Sequence, residues 1–361
     1  MSEVVVAGRG LAALTCALLL ARQGRRVRII GPETAGRRWL VLPEAVAELL
    51  CDVWGADAGV LDTAWTVQRR SVRWGDNARQ CVAAPSRTLD GTALNERLAA
   101  YLSRNYEDQV CLDHSTPLSG NPVTTEGTVP SEDKADVRWL ITATPTPDSA
   151  RFGVVGRRHI IAAEARLTPA YDSSTCLMET SRQGWVYLAP VSQELALVQA
   201  MVPGPVHNPL RLLCHLLDQT GLSAQLAEPP ARASIVRAAP GLLAPPCGPG
   251  WLAVGAAAVQ FDPLSGSGAA QAVRTAILAT AAIDAIDRGH CAQDVLEHYA
   301  ARIHAAFTDH LQSCLDLYGA TFPGEAWRDE VDTTVVALRR PAKDAPQMNF
   351  RLSGFRLQRQ G

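Results

Sequence analysis

Residues 4–13, Val4-Val5-Val6-Ala7-Gly8-Arg9-Gly10-Leu11-Ala12-Ala13, join a short apolar run to two glycines and then to an Ala- and Leu-rich segment. That segment continues to Arg22, Gly24 stops it, and Val27-Arg28-Ile29-Ile30 follows as a second apolar run. Strand, helix and strand signals within about thirty residues read as a β-α-β unit with parallel strands. Its first turn has the spacing G-x-G-x-x-A. Gly8 allows the tight turn, Gly10 lets a pyrophosphate approach the main chain, and Ala13 lets the helix pack closely on the strand. Free N–H groups at the helix start then face the phosphates. Gly8, Gly10 and Ala13 are therefore candidate contacts to a dinucleotide, with Arg9 beside them. At the end of the second strand, where an acid usually holds a ribose hydroxyl, the chain has Gly31, and Glu33 comes two residues later.

A chain of 361 residues has room for two lobes or one elaborate domain. With 47% hydrophobic residues, 19% charged and a net charge of −2, it is not a disordered chain, a collagen-like fibre or a strongly basic nucleic-acid or membrane-surface protein. Nine cysteines without a C-x-x-C pair, and no histidine at ligand spacing, argue against zinc and a disulfide framework, so no metal site is expected. The apolar run Leu11 to Ala21 is too short and too polar-flanked to span a bilayer, and no basic leader precedes it. A reduced, cytoplasmic protein without a membrane span is expected. Lysine occurs only at Lys134 and Lys343, which removes it as a catalyst almost everywhere. His159, His207 and His215 have no partner pattern, and no catalytic base is assigned.

Helical signals recur around Pro43 to Leu50 and Thr92 to Tyr101; Ser71 to Gly75 reads as extended, and Val137 to Thr144 as a strongly apolar strand. Asp113 to Asp136 is rich in turn residues and reads as loop or a short ribbon. From Ile160 to Val202 four strand-like runs follow one another with turn residues between them, which predicts a separate antiparallel sheet. Leu210 to Leu217 reads as helix, Trp251 to Val254 as strand, and two long helices are expected at 269–287 and 292–318. The organisation predicted is a nucleotide-binding domain in two stretches, 1–75 and 76–150, a substrate-side sheet over 151–235, a return to the first domain over 236–330, and a surface tail over 331–361. Such an interrupted order places a ligand between lobes.

A second glycine loop runs from Gly255 through Asp262-Pro263-Leu264-Ser265-Gly266-Ser267-Gly268 directly into an Ala-rich helix. It resembles the G-D-A-x-x-x-x-D-P-x-x-G-x-G signature of FAD-dependent hydroxylases of the para-hydroxybenzoate hydroxylase type, and the wider run resembles halogenase-like flavoproteins. Arg38 to Leu50 is similar to the Arg and Leu-Pro segment of the latter, Pro85 to Asp90 to their R-x-x-L/F-D, Glu179 to Pro190 to their E-x-x-x-x-G-W-x-Y-x-x-P strand pair, and Tyr318 to Arg328 to their closing aromatic pattern. The resemblance implies an α/β fold: a Rossmann-like FAD-binding domain with an inserted, mainly antiparallel substrate-side sheet. It implies FAD held by Gly8, Arg9, Gly10, Ala13, Arg38, Arg87, Gly255, Asp262, Pro263, Gly266, Ser267 and Gly268, the last three against the flavin ring. Three positions depart from the family pattern: Gly31 and Ala256 stand where it has acids, and Pro145 where it has the Gly of A-T-G.

The activity implied is FAD-dependent monooxygenation of an electron-rich aromatic ring. The segments taken together are most similar to flavoproteins that oxidise a Trp side chain of a partner polypeptide during tryptophylquinone maturation. The substrate is then an aromatic small molecule or a Trp-containing polypeptide, electrons come from an external flavin reductase or NAD(P)H, and Trp185, Tyr187 and Trp74 are the candidate substrate contacts, with Trp39 weighed beside them. Two alternatives stay open. One is a binding or maturation protein of the same fold with weakened or lost FAD binding. The other is a flavin-dependent halogenase, which would need a lysine beside the flavin and W-x-W-x-I-P where this chain has Trp185-Val186-Tyr187-Leu188-Ala189-Pro190.

Overall fold

The structure is a computed structural model and describes residues 3–32, 36–113, 137–145, 151–339 and 348–360. Strand Glu3–Ala7 lies inside a six-stranded sheet, with the parallel strands Val27–Ile30 and Val137–Thr142 on its two sides. Val110–Asp113 extends the sheet beyond the first of these and Trp251–Ala253 beyond the second, both in parallel, and the short Cys247–Gly248 closes that edge in antiparallel. Val4 to Ala7 and Trp139 to Ile141 are almost wholly buried, as expected of parallel strands covered on both faces. Helix α1 (Leu11–Arg22) supplies the crossover, and every residue from Leu11 to Ala21 is buried.

Helices α2 (Glu44–Trp54) and α3 (Gly91–Asn105) follow, α3 capped by the Asp90 carboxylate on the Thr92 N–H at 2.9 Å. Helix α4 (Pro209–Thr220) belongs to the second lobe, whereas α5 (Gly268–Asp287) and α6 (Ala292–Gly319) return to the first. By length and composition α5 could cross a membrane, but 72% of its apolar window is buried inside the protein. A helix that is apolar on all sides is the form expected of one packed among other helices in a core.

The second sheet has eight strands in the order 234–237, 159–166, 195–202, 185–190, 175–180, 65–73, 80–90 and 39–43. All neighbours are antiparallel except 65–73 with 175–180. This corrects the expected boundaries, because strands between residues 39 and 90 leave the nucleotide-binding lobe and complete the substrate-side sheet. The cause is period-two patterning: Leu42 and Leu89 point into the first core, while Val41 and Val67 point into another. The sheet curls until Trp39, from one edge strand, donates its indole N–H to Glu164 of strand 159–166 at 2.8 Å. Ile161, Val186, Leu188 and Val198 on one face pack with Leu213, Leu216 and Leu217 of α4. The concave face carries Ile160, Trp185, Tyr187 and Met201 and meets Tyr318, Phe322 and Trp327.

The expected tail over 331–361 is also corrected. Helix α7 (Glu325–Arg339) buries Trp327, Glu330 and Thr334 along one stripe, and a hairpin of Phe350–Ser353 with Arg356–Arg359 buries Phe350 and Leu357 against the first core. The many charges of α7 lie on its outer side and hide that stripe in the composition. Glu33, Lys134, Lys343 and all of the expected 113–136 loop except Asp113 lie outside the described residues; Asp113 ends a strand.

Candidate functional site

The carboxyl ends of the parallel strands form one edge, and the strand order reverses there at Glu3–Ala7, the place where open α/β sheets bind ligands. Gly8 follows with φ +128°, its N–H donated to the Ile30 carbonyl at 2.8 Å. A Cβ on Gly8 would stand 2.9 Å from Thr144 Oγ1, so the turn needs glycine to let the loop after Val137–Thr142 close in. Around Gly10, the N-cap residue of α1, a Cβ would meet nothing within 4 Å: the main chain faces open space. Ala13 is fully buried, and Arg9 reaches over the sheet edge to donate to the Asp113 carbonyl at 2.9 Å.

Gly255 has φ +56°, and its Cβ would lie 2.8 Å from the Cβ of Ala12. Its N–H donates to Thr275 Oγ1 of α5 at 2.8 Å. Gly255 thus lets α1 and α5 touch, and Ala256, next to it, is exposed on the same edge. Gly31 has φ +119°, a conformation that side-chain-bearing residues rarely adopt, so the missing ribose acid has a backbone cause.

The second loop is held from inside. Asp262 is completely buried; its carboxylate accepts the Leu264 N–H at 2.9 Å and the Tyr318 O–H at 2.9 Å, and pairs with Arg158 at 3.2 Å. Arg158 is 1% exposed and lies equally close, 3.2 Å, to Glu330 of α7. The Asp262 N–H donates to His310 Nε2 at 2.7 Å, and the His310 ring stacks on Phe261 at 4.3 Å. Burial, reinforced by Arg158, pushes the His310 pKa down to about 4, which keeps that nitrogen a neutral acceptor. Burial raises the Asp262 and Glu330 carboxyls, with Arg158 working against that on both. The side chain of Asp262, expected as a cofactor contact, is buried and engaged with Leu264, Tyr318 and Arg158, which anchors the loop.

Beyond it Pro263 is exposed, Gly266 has φ +60° and faces Pro43, and Ser267 leads into Gly268, where a Cβ would again meet nothing within 4 Å. Pro43 precedes α2, so the Leu-Pro segment does come against this loop. Arg87, half-buried, pairs with Glu44 of α2 at 3.3 Å. Arg38 is exposed; its carbonyl accepts the Gly91 N–H at 2.6 Å and its side chain makes no hydrogen bond or ion pair with the described residues.

Of the three substrate candidates, Trp185 is corrected to core: it is 1% exposed and donates its indole N–H to the Tyr318 hydroxyl at 3.2 Å, under cover of α6 and α7. Tyr187 is 7% exposed on the same face, and Trp74 stands edge-on to Phe322 with 5.9 Å between ring centres. The half-buried apolar surface on this face comes from Trp74 together with Val41, Trp65, Met178 and Leu264. Trp65 shows in sequence only as the start of an alternating run. Arg158 and Glu330 have no local signal, because each is a charge among charges until the fold buries it.

No protein-family model matches the chain, and no curated protein matches it in sequence. Solved structures do match its fold. CmlS, a flavin-dependent halogenase, superposes with TM-score 0.75 at 18% identity over 93% of this chain and 69% of that one. QhpG, a peptidyl tryptophan dihydroxylase essential for tryptophylquinone cofactor biogenesis, gives 0.72 at 18% over 99% and 86%. PqsL, a probable FAD-dependent monooxygenase from Pseudomonas aeruginosa, gives 0.70 at 16% over 93% and 99%. The chain has the fold shared by these FAD-dependent hydroxylases and halogenases, as the sequence resemblance implies.

Proposed function

We propose that the protein is an FAD-dependent monooxygenase acting on an electron-rich aromatic ring. The observation that carries this is the convergence, on one sheet edge, of two main-chain segments with open space before them, at Gly10 and Gly268, beside a half-buried aromatic face. The α1 N-terminus with Gly8 to Gly10 would hold the pyrophosphate, with Arg38 just before strand Trp39–Pro43 and Arg87 on the strand paired with it. Gly266 to Gly268 and the first turn of α5 would meet the ring. When bound and reduced, FAD supplies the activation of molecular oxygen. The chain's part is to orient the aromatic substrate on the concave sheet face and keep water away from it. Pro145 and the missing acids leave the shape of the cradle intact but remove hydrogen bonds. Each such bond is worth about 1.5–3 kcal/mol, so two together loosen FAD by about 100-fold or more.

Similarity to the QhpG structure over 99% of this chain supports a Trp side chain of a polypeptide as the substrate. Reduction of the flavin would call on an external reductase or NAD(P)H. The halogenase alternative has less support: the chain has Trp185-Val186-Tyr187-Leu188-Ala189-Pro190 where a halogenase would need W-x-W-x-I-P. The exposed Ala256 and the constrained Gly31 favour the other alternative, a protein that has lost FAD. A cytoplasmic setting fits nine free thiols. The absorbance spectrum of purified protein, before and after addition of FAD, tests the reading: a bound flavin spectrum is expected, and protein that neither carries nor takes up FAD removes the monooxygenase.

A further inference from the structure

Building on the reading of a polypeptide Trp as the substrate, we propose that the free edge of strand Gln80–Asp90, from Gln80 to Ala84, docks that polypeptide as an added β-strand. Strand Trp65–Arg73 pairs with Gln80–Asp90 along one side, whereas Trp39–Pro43 covers only Ser86 to Asp90 on the other. From Gln80 to Ala84 no strand lies on that outer side among the described residues. Alternate residues of an antiparallel strand turn their N–H and C=O groups outward, so this stretch offers a row of main-chain donors and acceptors. It is open to solvent: Gln80 to Ala83 are exposed and Ala84 is half-buried. Cys81-Val82-Ala83-Ala84 is also an apolar run, whereas proteins ordinarily blunt an open edge with charge or proline.

The edge begins where the second glycine loop meets the sheet. Pro43 pairs with Ser86, and a Cβ on Gly266 would stand 3.6 Å from Pro43. Beyond Pro43, helix α2 leaves over the opposite face, where Glu44 meets Arg87, and the line of strand Trp39–Pro43 is left vacant alongside Gln80 to Ala84. A polypeptide lying in that line passes the loop. Val82 pairs with Arg70 and Arg70 with Cys176, a residue of the concave face. A side chain set opposite Val82 extends this row and so points to the concave side, which is how a Trp would be presented. Charge selects the occupant. Residues 65–90 hold five arginines and two aspartates, and Arg73 and Arg79 share the one carboxylate of Glu179. A second copy laid on the same edge would set these arginines against their own kind, whereas a strand carrying acidic residues is attracted.

The test is calorimetric titration of the full chain with a short capped peptide that has Trp at its centre, Val two residues to either side and Glu between. Two N-methylated forms are compared with it, one blocked at Trp and every second residue, the other at the residues between. Strand addition uses one of these two sets, so one form is expected to bind at least about 10-fold more weakly and the other like the parent. Val82→Asp should weaken the parent peptide by a similar factor, and Val236→Asp, on the edge strand at the other end of the sheet, should leave it unchanged. Val82 is 46% and Val236 59% exposed, so both variants should unfold at the wild-type temperature. Equal binding of the two N-methylated forms, no binding up to about 5 mM, or loss through Val236→Asp in place of Val82→Asp overturns the proposal. A dimer that Val82→Asp converts to monomer, in protein that takes no peptide, overturns it in favour of a second copy. Ala in place of the peptide's Trp should lower affinity and keep the N-methylation pattern. The pattern without any loss on that replacement keeps the docking edge and removes Trp as the substrate; flavin-loaded protein that binds no peptide removes the edge and leaves the monooxygenase.

Discussion

The two glycine loops reach the same sheet edge by opposite means. The first, Gly8 to Ala13, is fixed by its own main chain: a positive φ at Gly8, a strand behind it and a buried helix after it. The second is fixed by buried charges from afar, with Arg158 between Asp262 and Glu330, and with Tyr318 and His310 closing round. The first loop is therefore expected to be indifferent to pH and to distant substitution, whereas the second depends on α6, α7 and the start of strand 159–166.

The largest effect should come from removing the shared cation. Arg158→Met leaves two buried carboxylates without their partner and is expected to cost about 3–5 kcal/mol in denaturant unfolding, far above an Arg87→Met control at the half-buried pair. A loss under about 1 kcal/mol would show that the second loop does not lean on this network.

Acid should find the same weakness. A histidine whose folded pKa lies near 4 against an ordinary 6.5 binds its proton more readily when unfolded. Its contribution to stability is complete above pH 6.5 and falls away as the pH drops through that window toward 4. Because Asp262 and Glu330 are shifted in the stabilising direction on acidification, the comparison has to be made against His310→Asn. The stability of wild type relative to that variant should decline by about 3 kcal/mol between those limits. A difference independent of pH would mean that His310 titrates normally.

A smaller effect is expected at the first edge. Ala256→Asp returns a carboxylate to an exposed position and should tighten FAD by about 10-fold, read by calorimetry. Gly31→Glu should not help, since φ +119° penalises any side chain there. Unchanged affinity in Ala256→Asp would mean that the edge has been rebuilt around a different ligand group.

What sequence could convey follows the same division. The β-α-β unit, the four successive strands from 159 to 202 and the long helices α5 and α6 rest on local periodicity, and each was legible from residue pattern alone. Strands 39–43, 65–73 and 80–90 belong to the second sheet because of pairing across the chain, which no local pattern specifies. Gly10 and Gly268 could be named as open cradles from motif spacing. The inward turn of Asp262 could not, because it depends on Arg158 and Tyr318, far away in sequence. Trp185 looked available for the same reason: an alternating strand does not reveal that helices α6 and α7 cover the concave face that Trp185 occupies.

The central claim, that both open glycine segments hold one FAD, is tested most directly by titrating FAD into wild type, Gly10→Val and Gly268→Val while following thermal unfolding of the flavin-free proteins. A Cβ at either position would meet nothing within 4 Å, so both variants are expected to unfold at nearly the wild-type temperature and yet bind FAD at least about 10-fold more weakly. Wild-type FAD affinity in both variants, or the absence of any FAD binding in the wild type, would contradict the account.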